Sequence, residues 1–278
     1  VNFTISQAQI NANGLVGGAS VEYDPAGRSF TVKGTRVSLG GLGKYSKLED
    51  IISGTVSGTR SDFTALNFSL GTADHTVALK NADTYTVTLA LKDTKNFVWT
   101  GGGSNPTATW TIMKVKVDQV TKPTDDLTYN HNGQVLTLAN WNKDLMTLAV
   151  TGKTPEATNE NDKTVTVKNA GEYVFTFTLK DASNYQWNGI VGENESEPIS
   201  FTFTLKQATA ALFEDSASAE FNDAAKPSFA VPQALSAASA GGALIADDLS
   251  FTYTVKNEKG ETVDFTQAVQ SAGTYIYT

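Results

Sequence analysis

Three times this chain runs a turn of small residues into a tyrosine: Asn81-Ala82-Asp83-Thr84-Tyr85, Asn169-Ala170-Gly171-Glu172-Tyr173 and Ser271-Ala272-Gly273-Thr274-Tyr275. The first two occurrences keep their register over a long stretch. Ala82, Tyr85, Leu91, Lys92, Asp93, Asn96, Phe97 and Trp99 map onto Ala170, Tyr173, Leu179, Lys180, Asp181, Asn184, Tyr185 and Trp187, always at an offset of 88. An offset held over so many positions marks an internal repeat, which turns one long chain into copies of a single unit. Every other reading of the sequence has to fit that array.

Further blocks recur around the tyrosine. Phe3-Thr4-Ile5-Ser6-Gln7-Ala8, Trp110-Thr111-Ile112-Met113-Lys114-Val115 and Phe203-Thr204-Leu205-Lys206-Gln207-Ala208 alternate aromatic, Thr and aliphatic residues. That period of two puts the first and third side chains on one buried face of a strand. About 20 residues later come Tyr23-Asp24, Tyr129-Asn130 and Phe221-Asn222, where an aromatic residue enters an Asx turn. Asp50-Ile51-Ile52 leading to Val56-Ser57-Gly58 is matched by Asp144-Leu145-Met146 leading to Val150-Thr151-Gly152, and only Asp248-Leu249 survives of this block in the last copy.

In one unit these blocks predict strands near Tyr129, Val135 to Leu138, Leu145 to Val150, Thr164 to Val167, Tyr173 to Leu179 and Phe201 to Leu205. Short strands separated by Gly, Asn, Asp and Pro at this spacing are the pattern of a β-sandwich. The wealth of Thr, Val and Tyr agrees with an all-β chain. One helical turn, Lys47 to Ile52, is expected from the capping-box spacing of Ser46-Lys47-Leu48-Glu49. Gly34 to Gly58 and Ala208 to Ala246 read as insertions, which sandwich loops tolerate cheaply.

The small-residue turn before a tyrosine resembles the start of strand F in immunoglobulin-like domains, where a tyrosine at the sheet corner bonds back to the chain. Tyr-Asp or Tyr-Asn, Ala-Gly-x-Tyr, Leu-Lys-Asp, Asn-Tyr-x-Trp and a closing aromatic-Thr-Ile strand, taken together, are similar to the bacterial Ig-like tandem modules of large cell-surface and adhesin-type proteins. The resemblance implies tandem immunoglobulin-like β-sandwich modules, the last one incomplete. Residues 1–7 would be the closing strand of a preceding module, with 8–114 and 115–206 as modules 1 and 2 and 207–278 as an incomplete module 3. Tyr85, Tyr173 and Tyr275 would be the structural tyrosine corners. Two residues after each, where an Ig domain often places its second cysteine, stand Val87, Phe175 and Tyr277, so the sheets are expected to close by packing alone. The absence of cysteine also excludes a thioester adhesin.

Little in the chain points to catalysis. The two histidines, His75 and His131, stand at non-equivalent places, and neither a Gly-x-Ser-x-Gly elbow nor an assembled nucleophile–base pair is legible. No catalytic residue, cofactor or metal ligand is therefore assigned, and the chain is read as not an enzyme. Asn159-Glu160-Asn161-Asp162, Asp125-Asp126 and Asp247-Asp248 lack the spaced ligand series and Gly turn of a calcium loop and read as solvated loops. Lys92-Asp93 and Lys180-Asp181 cannot form isopeptide bonds with each other, because adjacent strand residues face opposite ways. Trp99 and Trp187 are expected in the core. Trp141, without a counterpart in the other copies, is the better candidate for an exposed ligand contact, for example with a glycan.

A net charge of −8 without clustered Lys and Arg argues against a nucleic-acid partner. No stretch approaches the ~20 apolar residues of a membrane span, so no membrane insertion is expected in this segment. The resemblance then implies an extracellular, cell-surface stalk whose partners are neighbouring modules of the array or copies of itself, with a host or surface glycan or protein as the other class. At about 3.3 Å per strand residue, three modules end to end would span on the order of 100 Å. Residues 3–5 and Thr278 are out of phase with the repeat. The simplest expectation is a window cut from a longer array, and the sharper one is a head-to-tail fibre by strand complementation.

Overall fold

The computed structural model describes residues 2–34, 38–39, 51–71, 73–208, 255–256, 259–263 and 276–277. The chain is all-β, and no α-helix occurs among the described residues. The first copy of the repeat contains β1 (Ala8–Asn11), β2 (Ala19–Glu22), β3 (Arg28–Val32), β4 (Ser38–Leu39), β5 (Ile52–Gly58), β6 (Leu66–Leu70), β7 (His75–Leu79), β8 (Asp83–Leu91), β9 (Phe97–Trp99) and β10 (Thr107–Met113). The second contains β11 (Val115–Val117), β12 (Gln134–Thr137), β13 (Met146–Gly152), β14 (Ala157–Asn159), β15 (Thr164–Val167), β16 (Gly171–Leu179), β17 (Tyr185–Trp187) and β18 (Ile199–Leu205). Three two-residue strands follow: β19 (Val255–Lys256), β20 (Thr262–Val263) and β21 (Ile276–Tyr277).

The chain divides into two compact units, Val1–Gln119 with Leu179–Glu197 and Val120–Thr178 with Pro198–Thr278. In the first unit one sheet is ordered β2-β10-β8-β5-β6, and β3 pairs with β7 in another. The tyrosine strand β8 alternates, burying Tyr85, Val87 and Leu89, as period-two patterning requires. Phe30 of β3 stacks on Trp110 of β10 with centroids 4.9 Å apart, so the two sheets share one core. Strand β10 runs antiparallel to β8 and parallel to β2, while β1 is parallel to β9 and β11 to β17.

The second unit holds the sheets β12-β15-β14, β13-β16-β18 and β20-β19-β21. Tyr173, Phe175 and Phe177 of β16 are fully buried, and Phe175 lies opposite Phe201 of β18 with ring centroids 5.3 Å apart. Equivalent residues of the two copies sit in equivalent pairings. Trp110 faces Tyr85 across one ladder and Phe203 faces Tyr173 across the other. Likewise β3 pairs antiparallel with β7, and β12 with β15.

Residues 2–7 form no strand, and Phe3 and Ile5 are 89% and 97% exposed. Other expectations need correction. Near Tyr129 there is only an isolated bridge between Thr128 and Lys206. Of the proposed helical turn, residues 47–50 lie outside the described residues and Ile52 begins β5. Trp99 and Trp187 are buried as expected, each on a short strand of its own, β9 or β17.

Candidate functional site

The two tyrosines occupy matching corners. The Tyr85 hydroxyl donates to the Asn81 carbonyl at 2.7 Å and the Tyr173 hydroxyl to the Asn169 carbonyl at 2.7 Å, with the residues 1% and 0% exposed. Tyr275 lies outside the described residues. Trp141 corrects an expectation: it is 1% exposed, edge-on to Phe177 at 6.4 Å. Its amide donates to the Leu138 carbonyl, closing a tight turn through Asn140 at φ 67°, and the indole belongs to the core of the second unit. A side chain so placed offers a ligand no surface.

Of the polar clusters, residues 159–162 form a turn. Asn159 Oδ1 accepts from the amides of Asn161 and Asp162, and its Nδ2 donates to Asp162. Asp126 pairs with Lys206. Asp247 and Asp248 lie outside the described residues. No group of three or more His, Asp or Glu able to hold a metal exists among the described residues. His75 stacks on Phe68 at 4.3 Å, and His131 Nδ1 lies 3.2 Å from the Tyr129 hydroxyl, so the two imidazoles serve separate local contacts. No described helix is long and apolar enough to cross a membrane.

The best-built polar arrangement stands where the first copy runs into the second, inside the first unit. Strand β10 ends at Met113 and β11 begins at Val115, leaving Lys114 alone between them. Lys114 Nζ reaches Glu195 at 3.1 Å and the Ser196 hydroxyl at 3.0 Å. Beside this joint lies Asn184, the one polar residue among the buried described residues, 5% exposed. Its backbone is held by an Asx turn: the Asn184 amide donates to Asp181 Oδ1 and the Tyr185 amide to the Asp181 carbonyl. Its Nδ2 donates to Asp181 Oδ2 at 2.8 Å, which orients the carboxamide. The opposite end, Oδ1, then accepts the backbone N–H of Ala82 at 2.7 Å, across 102 residues of sequence.

A buried N–H left unpaired costs about 1–3 kcal/mol, so this one bond ties the tyrosine turn of the first copy to the Asp-Asn turn of the second. Tyr23 adds an edge-on contact to Tyr185, centroids 5.5 Å apart, and its amide donates to the Met113 carbonyl. Burial, followed by the proximity of Tyr185 and Asp181, raises the Tyr23 phenol above its ordinary value. The neighbouring carboxylates are engaged as well: Asp83 binds Thr59 and the Arg60 amide, and Glu195 binds Lys114. The arrangement is one of mutual satisfaction, suited to holding two pieces of chain together.

Sequence reading placed Asp181 and Asn184 in the repeat without assigning them a role. The available signal was a polar pair kept in register with Asp93 and Asn96.

No family model matches the chain, and no curated protein matches it. Similar solved structures include extracellular domains 3–5 of Drosophila OTK, 11% identical over 74% of this chain and 66% of that one, with a TM-score of 0.25. Another is the set of fibronectin(III)-like modules of Clostridium thermocellum CbhA, 11% identical over 75% and 100%, TM-score 0.22. A third is the N-terminal part of the bacterial S-layer protein SbsC, 14% identical over 72% and 44%, TM-score 0.18. Scores this low carry no argument about what the chain does, and the all-β sandwich assignment rests on its own sheets.

Proposed function

We propose that the chain is a non-enzymatic structural segment of an extracellular bacterial surface protein, a run of Ig-like modules that holds another part of the molecule at a distance. The observation that carries this reading is the joint at Lys114. A one-residue connection backed by the buried Asn184–Ala82 bond fits a spacer better than a flexible tether, which would need a longer polar linker. The organisation of the chain as 8–114, 115–206 and 207–278, with 1–7 belonging to a preceding module, is part of the same proposal.

Small-angle scattering of the intact chain tests it. A maximum dimension on the order of 100 Å, from about 3.3 Å per strand residue, is expected; a particle half that long would sink the spacer reading. A second reading, a fibre subunit joined by strand complementation, is favoured by the exposure of Phe3 and Ile5. Trp141, being buried, lends a glycan site no support.

A further inference from the structure

The Asp-Asn turn that grips Ala82 has a twin in the first copy. Asn96 donates its amide to Asp93 Oδ1 at 3.2 Å and its Nδ2 to Asp93 Oδ2 at 2.5 Å, and the Phe97 amide donates to the Asp93 carbonyl. The Asn96 carbonyl accepts from the Ala8 amide, as the Asn184 carbonyl accepts from Val115. Hydrogen bonding to Asn96 holds the Asp93 carboxyl below its usual range. The carboxamide is therefore oriented as in Asn184, with Oδ1 turned away from Asp93. The two sites differ in occupancy: Asn184 is buried against the Ala82 turn, whereas Asn96 is exposed and its Oδ1 has no donor among the described residues.

A second observation points the same way. Phe3 and Ile5 are almost fully exposed, while their counterparts Trp110 and Ile112, and Phe203 and Leu205, are at most 2% exposed. Those counterparts pair with a tyrosine strand: Trp110 faces Tyr85 and Ile112 faces Asp83, just as Phe203 faces Tyr173 and Leu205 faces Gly171. Residues 3–5 and Asn96 thus present the two halves of one complementary surface. The first half is the alternating strand that a tyrosine strand covers, and the second is the acceptor for the N–H of the small-residue turn preceding it. One partner satisfies both.

We propose that residues 3–7 together with Asp93 and Asn96 form an interaction surface for one further Ig-like module of this class, placed immediately upstream on the same polypeptide. Its tyrosine strand would pair with Phe3–Ile5 and its turn N–H would donate to Asn96 Oδ1. An upstream module in the same polypeptide is the fitting occupant because β10, Lys114 and β11 form such a continuous path in the occupied joint. Gln7 occupies the place of Lys114, its Nε2 donating to the Thr94 carbonyl at 2.7 Å. This inference rests on the tandem-array reading, and the test separates the two.

The test extends the chain by fusing a second copy of residues 8–109 directly ahead of Phe3 and measures amide hydrogen exchange. The added Ala82 amide is expected to be as protected as the original one. Asn96→Ala should accelerate its exchange on the order of tenfold, the loss of one buried hydrogen bond, and leave the original Ala82 unaffected. Asn184→Ala in the unextended chain should accelerate the original Ala82 by a similar factor; if it does not, the joint underlying the array reading fails. If the added turn exchanges alike with Asn or Ala at 96, or if the added module stays unfolded, the proposed surface is refuted. Asn96-dependent self-association of the unextended chain would equally overturn the same-chain assignment.

Discussion

The paired tyrosine corners allow the equivalence of the two copies to be tested energetically. Tyr85→Phe and Tyr173→Phe each delete one hydroxyl that donates at 2.7 Å to a backbone carbonyl four residues earlier, while the ring stays in place. A neutral intramolecular hydrogen bond contributes about 0.5–1.5 kcal/mol net, and the cost rises when the abandoned acceptor cannot reach water. Asn169 lies on an exposed turn, so its carbonyl can be rehydrated, and Tyr173→Phe should cost about 1 kcal/mol. Asn81 is only half exposed and lies next to Asn184, so Tyr85→Phe should sit at or slightly above that figure. Truncation to Ala removes the buried ring as well and should cost about 3–5 kcal/mol in either copy. A chain of two compact units need not unfold in one step, so local exchange of the β8 and β16 amides should accompany urea titration followed by tryptophan fluorescence. A loss from Phe as large as that from Ala would refute the division between ring packing and hydroxyl. A loss confined to one copy would refute their equivalence.

The glycines closing β5 and β13 should respond differently to alanine. Gly152 has φ 82°, and a Cβ there would lie 2.5 Å from the Glu172 carbonyl oxygen, so Gly152→Ala should cost at least ~2 kcal/mol in urea titration. At Gly58 the backbone is not left-handed and the nearest atoms belong to the side chains of Asp83 and Phe63 rather than to backbone, so Gly58→Ala should cost less. Stability should also fall at alkaline pH. Burial, and then the Asp83 charge, raise the Tyr85 phenol above 10.0, so the unfolded chain ionises first. Its contribution is complete below pH 10 and is lost as pH climbs through the folded value, and Tyr85→Phe should flatten that decline in pH-dependent melting.

The tyrosine strand was readable from sequence because its signals are local: a small-residue turn, alternating apolar positions and an offset of 88 that repeats them in β8 and β16. The same holds for β5 and β13, whose first residues, Ile52 and Met146, each follow an Asp and one aliphatic residue. The parallel pairings β1–β9 and β11–β17 were not legible, since each joins segments some 70 to 90 residues apart with no turn to announce them. Trp141 misled because a tryptophan unique to one copy looks like an added contact, whereas a single αL residue, Asn140, suffices to turn it into the core. Asn184 was visible as a repeated residue, but its role depends on a backbone N–H 102 positions away, and no local pattern encodes that distance.

Strand β6 covers the outer edge of β5, whereas among the described residues its counterpart β13 has β16 on one side and no strand on the other. The stretch Met146-Thr147-Leu148-Ala149-Val150 carries neither charge nor proline, the composition that lends itself to intermolecular strand pairing. Tandem copies face a particular hazard during synthesis, because a neighbour with the same edge can be mistaken for self and the two can misassemble. Among the described residues the strand after β5 pairs back on it, whereas the strand after β13, β14, pairs with β15, so the two copies do not present the same edge. By pairing with β5, strand β6 removes from the first copy the edge along which two similar neighbours would otherwise mispair while they fold.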